Sequence, residues 1–340
     1  MPRVGALIAT GDREMLFLSR NRQMLDKHYR FVLPSAEILE RLANKRSQYR
    51  YAGAIGIPIP ATYYPSTQRH VEQIASMIRF PCVIKPAHSH IWRDRRREGN
   101  HWERLKATEV ATPGELCSAY SQMSQSEVEL LVQERIAGSE SRLYSLYAYL
   151  NRKSEPLASC VIQKLRQWPP EYGSGSYSVS CREDKVAALG LRLLRETRYV
   201  GLANVEFKLD LDSNAFKLIE VNIRSGERIA LAIAAGVDIP HIAYRDILGE
   251  PVDAVGDYKT GIKWVNFVND AAAFLCHYRK QMSWRCWVRS LSLARSHAYF
   301  SWKDPLPFIE HILQTSRKIA LMLHRHLHAR GRRPAALRSN

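Results

Sequence analysis

Two consecutive segments, ANVEFKLD (203–210) and AFKLIEVNIR (215–224), alternate apolar and polar residues and are separated by the turn-forming run Asp212, Ser213, Asn214. That pattern allows little except an antiparallel hairpin with one buried face. Both strands carry a carboxylate in mid-strand. If the turn comprises those three residues, Leu211 stands opposite Ala215, and Glu206 falls directly opposite Glu220 on one face. Period-two alternation adds Asp210, Asn222 and Arg224 to it, a row of hard oxygen donors ending in a guanidinium. Mg²⁺ or Mn²⁺ suits such a row, because these ions take carboxylate and amide oxygens and bind together with substrate phosphates. An exposed hairpin with Glu206 and Glu220 paired to Lys208 and Lys217 fits equally well. The hairpin alone does not choose.

Cationic residues upstream tilt the balance. The apolar run CVIK between Pro81 and Pro86 reads as a buried strand that delivers Lys85 at its end, and a second strand begins near Lys106. A lysine held at a strand end is a fixed point charge for a phosphate. Between the two lies a basic loop with His88, His90, Arg93, Arg95, Arg96 and Arg97. In QERIAGSE (133–140) a strand runs into a short connection where backbone groups can meet a base edge and Glu140 can accept from ribose hydroxyls.

The rest of the chain supplies the frame. Val4–Thr10 and Tyr29–Leu33 read as strands around a helix over 12–26, so strand, helix, strand implies parallel pairing. Ser35 caps a helix continuing toward Tyr51, and GAIGIPIPATYY then marks a seam. Helices are expected over 113–126 and 183–197, and further strands over 130–136, 141–150 and 158–165, an α+β arrangement with a largely antiparallel sheet.

In order, these segments resemble the ATP-grasp superfamily, from about Lys45 to Gly249. The matching motifs are NKRSQYRYAGAIGIPIPATY, FPCVIKP, LKATEV, VQERIAGSE, GLANVEFKLD and LIEVNIR, and they are similar to those of bacterial ATP-grasp carboxylate–amine ligases. The resemblance implies an α+β ATP-grasp fold of two lobes clasping a nucleotide. It implies ATP contacts from Lys85, Lys106, Gln133, Glu134, Ile136 and Glu140, with Mg²⁺ (or Mn²⁺) on Glu206, Glu220 and Asn222. Arg224, Arg228 and Lys164, the last followed by Arg166, are implied to hold the reacting carboxylate or acyl phosphate. Small-molecule carboxylates and amines are the implied substrates. The implied division is a partial pre-ATP-grasp βαβ unit (1–44), an N-terminal lobe (45–135), a C-terminal lobe with the metal site (136–250), and a basic helical extension (261–340). Only about forty residues precede Lys45, so a shortened N-terminal domain is expected.

Composition bounds the alternatives. With 340 residues, 46% hydrophobic and 24% charged, the chain can bury the core of two lobes and is not mainly disordered. The six cysteines form no Cys-x-x-Cys clip, which argues against a zinc knuckle. The apolar stretch before Asp12 is too short for a signal peptide, and Ile229–Val237 is about half a membrane span, so a cytoplasmic protein is expected. Residues 261–340 hold 14 Lys and Arg against 3 Asp and Glu, a net +11 of the chain's +17, with four of the seven tryptophans. Helical spacing shows over 265–280, 283–294 and 306–329. This extension is expected to meet an anionic partner, with attachment at the inner membrane surface one form of it; no specific nucleic acid is implied. The rival expectation is an inert ATP-grasp relative that acts through this extension on nucleic acid or an anionic membrane.

Overall fold

The computed structural model describes residues 5–88, 107–125, 128–170 and 172–315. Lys106, the basic loop beyond His88 and the sequence from 316 onward lie outside the described residues. Strand β1 (Gly5–Ala6) pairs in parallel with β2 (Tyr29–Arg30), as strand, helix, strand requires. Both are shorter than the apolar runs suggest. The connecting helix ends at Arg20, where Asn21 leaves helical geometry (φ −103°, ψ 18°) before a second short helix, Arg22–Leu25. The helix expected to run on from Ser35 is likewise two, Ala36–Ala43 and Lys45–Ala54. Asn44 adopts an extended conformation between them, and its side chain caps the amides of Arg46 and Ser47. Lys45 therefore starts a helix instead of lying within one.

A four-stranded antiparallel sheet follows: β3 (Thr62–Tyr63), β4 (Cys82–Pro86), β5 (Thr108–Val110) and β6 (Leu130–Glu134), in the order β3-β6-β4-β5. Its apolar residues Cys82, Ile84, Val110 and Val132 pack on the helices Gln68–Ala75 and Pro113–Ser124 through Val71, Ile74, Leu116 and Met123. Thr112 caps the second helix, and Pro113 sits in its first turn, where no amide is needed.

The larger sheet has seven strands: β7 (Leu143–Leu150), β8 (Pro156–Trp168), β9 (Ser174–Ser180), β10 (Gly201–Asp210), β11 (Ala215–Asn222), β12 (Lys263–Val265) and β13 (Ala294–His297). Their order is β11-β10-β7-β8-β9-β12-β13, antiparallel except for the β12–β13 pair. One face is apolar. Leu146, Val161, Val205, Phe207, Leu218 and Val221 bury themselves against Leu39, Leu42 and Tyr49 and against the helix Asp184–Glu196 through Val186, Leu193 and Leu194. The helices Ile229–Ala235 and Ile239–Leu248 cover only one end of the opposite face, over Cys160, Ile162 and Trp264. What they leave uncovered faces the smaller sheet as a cleft.

The C-terminal sequence was expected to be an appended helical extension. Its first part instead completes the sheet: β12 pairs with β9, Trp264 is fully buried, and β13 closes the edge. The helices Phe267–Cys276 and Trp284–Ser292 are present as their spacing predicts.

Candidate active site

A cavity of about 460 Å³ opens between the two sheets and draws its walls from β4, β5 and β6 on one side and β7, β8, β9, β10 and β11 on the other. Glu206 pairs directly with Glu220, and Asn204 with Asn222, so two carboxylates and two amides share the cleft face of the hairpin. The register is reached by a different route from the one the turn suggests. Asp210, not Leu211, faces Ala215, and a bulge after Glu206 leaves Ile219 unopposed and restores the Glu206–Glu220 pairing. Asp210 consequently does not join the row. It closes its own turn, accepting from Ser213 Oγ at 2.6 Å and lying 3.0 Å from Lys217 Nζ. Burial alone would raise its carboxyl, yet Ser213 and Lys217 hold it at about 2.

Each cleft carboxylate meets a cation from another element. Lys45, at the helix start set by Asn44, donates to Glu220. Arg228 Nη2 lies 3.2 Å from Glu206 Oε1 and 3.0 Å from Ser145 Oγ. Burial would lower the Arg228 guanidinium, but Tyr147 and Glu206 outweigh it and leave its pKa raised. Asn222 Nδ2 donates to Asn204 Oδ1 at 3.0 Å, which leaves the Asn222 oxygen as the end for a cation. Two directly opposed carboxylates and a neighbouring amide oxygen form a hard donor set, and among the described residues no cluster of three His, Cys, Asp or Glu offers a softer one. The chemistry of the donors fits Mg²⁺ or Mn²⁺.

Lys85 enters from the other sheet near the end of β4, as the buried run implies, and is itself buried. Its Nζ donates to Gln133 Oε1 at 2.8 Å and Tyr49 Oη at 3.0 Å, and lies 5.1 Å from the centre of the Tyr49 ring. Desolvation lowers the ammonium to about 8, with Glu220 acting in the opposite direction. Such a group favours an incoming anion, because the anion replaces the charge stabilisation that water supplied. Gln133 is itself held, donating to Thr62 Oγ1 at 2.7 Å.

The residues of the 133–140 segment divide in role. Glu134 pairs with Lys217 at 2.5 Å, the Ile136 carbonyl accepts from Lys208 Nζ at 2.9 Å, and Glu140 accepts from Tyr278, which belongs to the C-terminal part. All three residues line the cleft. Lys164 lines it too, with Nζ 3.2 Å from Gln167 Oε1, and Arg224 reaches it from a pairing with Asp12 Oδ1 at 3.0 Å. Arg166 does not. Leu165 is skipped in the β8–β9 ladder, and Arg166 turns instead to Asp270, pairing Nη2 with Oδ2 at 2.7 Å. Lys106 lies outside the described residues.

Lys45, Lys208, Asn204 and Gln167 also line the cleft although their sequence positions did not mark them. Lys208, two residues from Glu206 on an alternating strand, had a readable position. Lys45 did not, since its role depends on the helix break at Asn44.

A family profile described as "ATP-grasp in the biosynthetic pathway with Ter operon" matches residues 126–269. The chain is 26% identical over 248 residues to a D-aspartate ligase of Enterococcus faecium, covering 71% of this chain and 58% of that one. It is 25% identical to a D-alanine–D-alanine ligase of Stutzerimonas stutzeri, covering 66% and 68%. Among solved structures, N5-carboxyaminoimidazole ribonucleotide synthetase from Thermus thermophilus superposes with a TM-score of 0.55 at 17% identity, over 73% of this chain and 62% of that one. An L-amino acid ligase from Bacillus licheniformis gives 0.52 at 15% identity, over 73% and 57%. The chain thus spans only part of the length of several of these proteins. The two-sheet fold is that of the ATP-grasp structures, and over residues 126–269 the sequence is similar to an ATP-grasp family.

Proposed function

We propose that the protein is an ATP-dependent carboxylate–amine ligase using Mg²⁺ (or Mn²⁺). The observation that carries this is the convergence in one cleft of the desolvated Lys85 ammonium and the opposed carboxylates Glu206 and Glu220. In the proposed reaction a substrate carboxylate attacks the γ-phosphoryl group of ATP, giving an acyl phosphate and ADP. An amine then displaces phosphate and forms an amide-type bond. Glu206, Glu220 and Asn222 would hold the metal, which supplies charge neutralisation at the transferring phosphoryl group. Lys85 and Lys106 bind phosphates. Gln133 fixes Lys85, while Glu134, Ile136 and Glu140 border the base and ribose. Arg224 holds the reacting carboxylate, its planar fork matching two oxygens, and Lys164 and Arg228 extend that cationic wall. Residues 45–135 act as the lobe carrying Lys85 and 136–250 as the lobe carrying the metal ligands, with 1–44 a partial βαβ unit against them.

Glu220→Ala tests the assignment, since it removes a metal ligand without opening a core cavity. ADP release should vanish while the far-ultraviolet spectrum is retained; undiminished release rejects the role of Glu220. Mg²⁺-dependent thermal stabilisation by ATP or ADP should accompany activity.

A second role is favoured by the surface of the C-terminal part. Ten of the eighteen exposed large apolar side chains among the described residues fall between Phe267 and Leu313. Trp284, Val288, Trp302, Leu306 and Ile309 are among them, interspersed with Arg285, Arg289 and Lys303, and residues 316–340 add seven Lys and Arg with no acid. No helix of the described residues is long and apolar enough to cross a membrane. Apolar side chains set among cations suit an anionic lipid surface, where both find partners. We therefore place a cytoplasmic enzyme peripherally at the inner membrane surface. The full chain should sediment with phosphatidylglycerol vesicles and not with phosphatidylcholine vesicles, and Trp302→Ser with Leu306→Ser should release it. Binding to duplex DNA or self-association, each without vesicle binding, overturns the lipid assignment.

A further inference from the structure

One corner of the cleft holds polar atoms that the roles above leave unexplained. Arg228 Nη1, Gln167 Nε2 and Ser178 Oγ are buried and have no hydrogen-bond partner. Their residues are 5%, 0% and 0% exposed. A buried donor without an acceptor lowers stability, so three in one place require a reason.

They are neighbours. Across the β8–β9 ladder Gln167 pairs with Gly175, and Lys164 with Ser178. A Cβ on Gly175 would stand 2.4 Å from Arg228 Nη1 and 3.2 Å from Ser178 Oγ. Gly175 is not in the left-handed region, so the glycine serves space rather than backbone conformation. The guanidinium is aimed from its other nitrogens: Nη2 is held by Ser145 and Glu206, and Nε lies 3.4 Å from Tyr147 Oη. Gln167 Oε1 accepts from Lys164, which turns its amide nitrogen away from that bond. Arg228, Gln167, Gly175 and Lys164 all line the cleft.

We propose that this corner is an oxyanion subsite that takes a substrate carboxylate other than the one being activated. The proposal rests on the ligase reading for assigning the anion to a substrate. The Arg228 N–H and the Ser178 hydroxyl beside Gly175, with the Gln167 amide at the paired ladder position, suit a planar carboxylate. A dianionic phosphate suits the corner less well, because Glu206 touches the same guanidinium and Glu227 lines the same wall. Gln167 and Ser178 are then specificity determinants: they select a substrate carrying a second carboxylate and stay in their unsatisfied state until it binds.

Ser178→Ala and Gln167→Met in the full chain test this, with acetate and succinate as probes against sulfate at constant ionic strength. Ser178→Ala deletes only an orphaned hydroxyl, so without probe its melting temperature should hold or rise, whereas a purely structural role would lower it; Gln167→Met also removes the acceptor of Lys164 and is read from probe binding alone. Succinate should stabilise the parent protein, and its apparent affinity should fall about tenfold in each variant. Stabilisation by Mg-ATP should stay within about twofold, since neither residue touches the nucleotide end. A lower melting temperature for Ser178→Ala, with succinate binding unchanged in both variants, overturns the subsite. Stronger stabilisation by sulfate than by either carboxylate, lost in both variants, overturns the choice of carboxylate. Loss of the Mg-ATP effect in the parent protein, with the succinate effect intact, strikes the ligase reading and leaves the subsite standing.

Discussion

The seven-stranded sheet carries two sets of buried charge built on opposite terms. Arg166 and Asp270 form a sealed pair, 6% and 0% exposed at the side chain, joined by two bonds of 2.9 and 2.7 Å. Asp270 also accepts from Ser176 Oγ and Trp287 Nε1, and Arg166 lies 4.1 Å from the centre of the Tyr177 ring. In the cleft, Glu206 and Glu220 are 19% and 31% exposed and each meets its cation through a single oxygen. A pair that only holds structure satisfies itself, because any donor left over in the interior costs stability. The cleft carboxylates instead stay partly exposed along the wall of the cavity.

The sharpest way to break this contrast is Asp270→Ala. It strands a buried guanidinium and should cost about 3–5 kcal/mol in urea unfolding, whereas Arg166→Met with Asp270→Leu should fall much nearer the parent. A harmless single variant would erase the distinction. Next in size, Lys85→Met should weaken Mg-ATP binding on the order of 100-fold by isothermal calorimetry. Its stability should be retained or increased, because burying this ammonium costs the ligand-free fold roughly 3 kcal/mol at neutral pH.

Titration sharpens the same point. The folded Lys85 value, about 8, lies below its ordinary 10.5, so between those values the unfolded chain holds a proton that the folded chain lacks. Ligand-free stability should therefore climb from about pH 8 toward about pH 10.5 and carry the full penalty below that window. Nucleotide affinity should move the other way, and binding near pH 8.5, about half a unit above the folded value, should take up protons, detectable as a buffer-dependent enthalpy. The smallest effect is expected from Tyr278→Phe, which removes the tyrosine's hydrogen bond to Glu140: KM for ATP should rise less than tenfold, about 1 kcal/mol, with kcat held. A change in kcat instead would show that this contact reaches beyond nucleotide binding.

How far each feature could be read depends on how local its cause is. The opposition of Glu206 and Glu220 follows from a short turn and period-two alternation, so it was legible even though the loop is one residue longer than supposed and a bulge compensates. Lys85 was legible because an apolar run flanked by prolines has few fates. Arg166 misled for a similar reason: strict alternation places it beside Lys164, and one skipped residue in the ladder redirects it. Strand β12 was hidden because three residues pair only when the antiparallel edge of β9 is present to receive them, and β13 because its four residues pair in turn with β12.

Taken alone, the amino-acid sequence determined an α+β arrangement with a largely antiparallel sheet, the hairpin of opposed carboxylates, the buried lysine and the basic C-terminal end, because turns, alternation and prolines act over a few residues; the two-lobed frame followed only from the family resemblance. Tertiary structure decided which cation meets which carboxylate, that Lys45 rather than Lys208 or Lys217 neutralises Glu220, and that Arg228, Gln167 and Ser178 converge on Gly175. Those pairings join residues far apart in the chain, and only the packed arrangement of helices and strands brings such partners within hydrogen-bond reach.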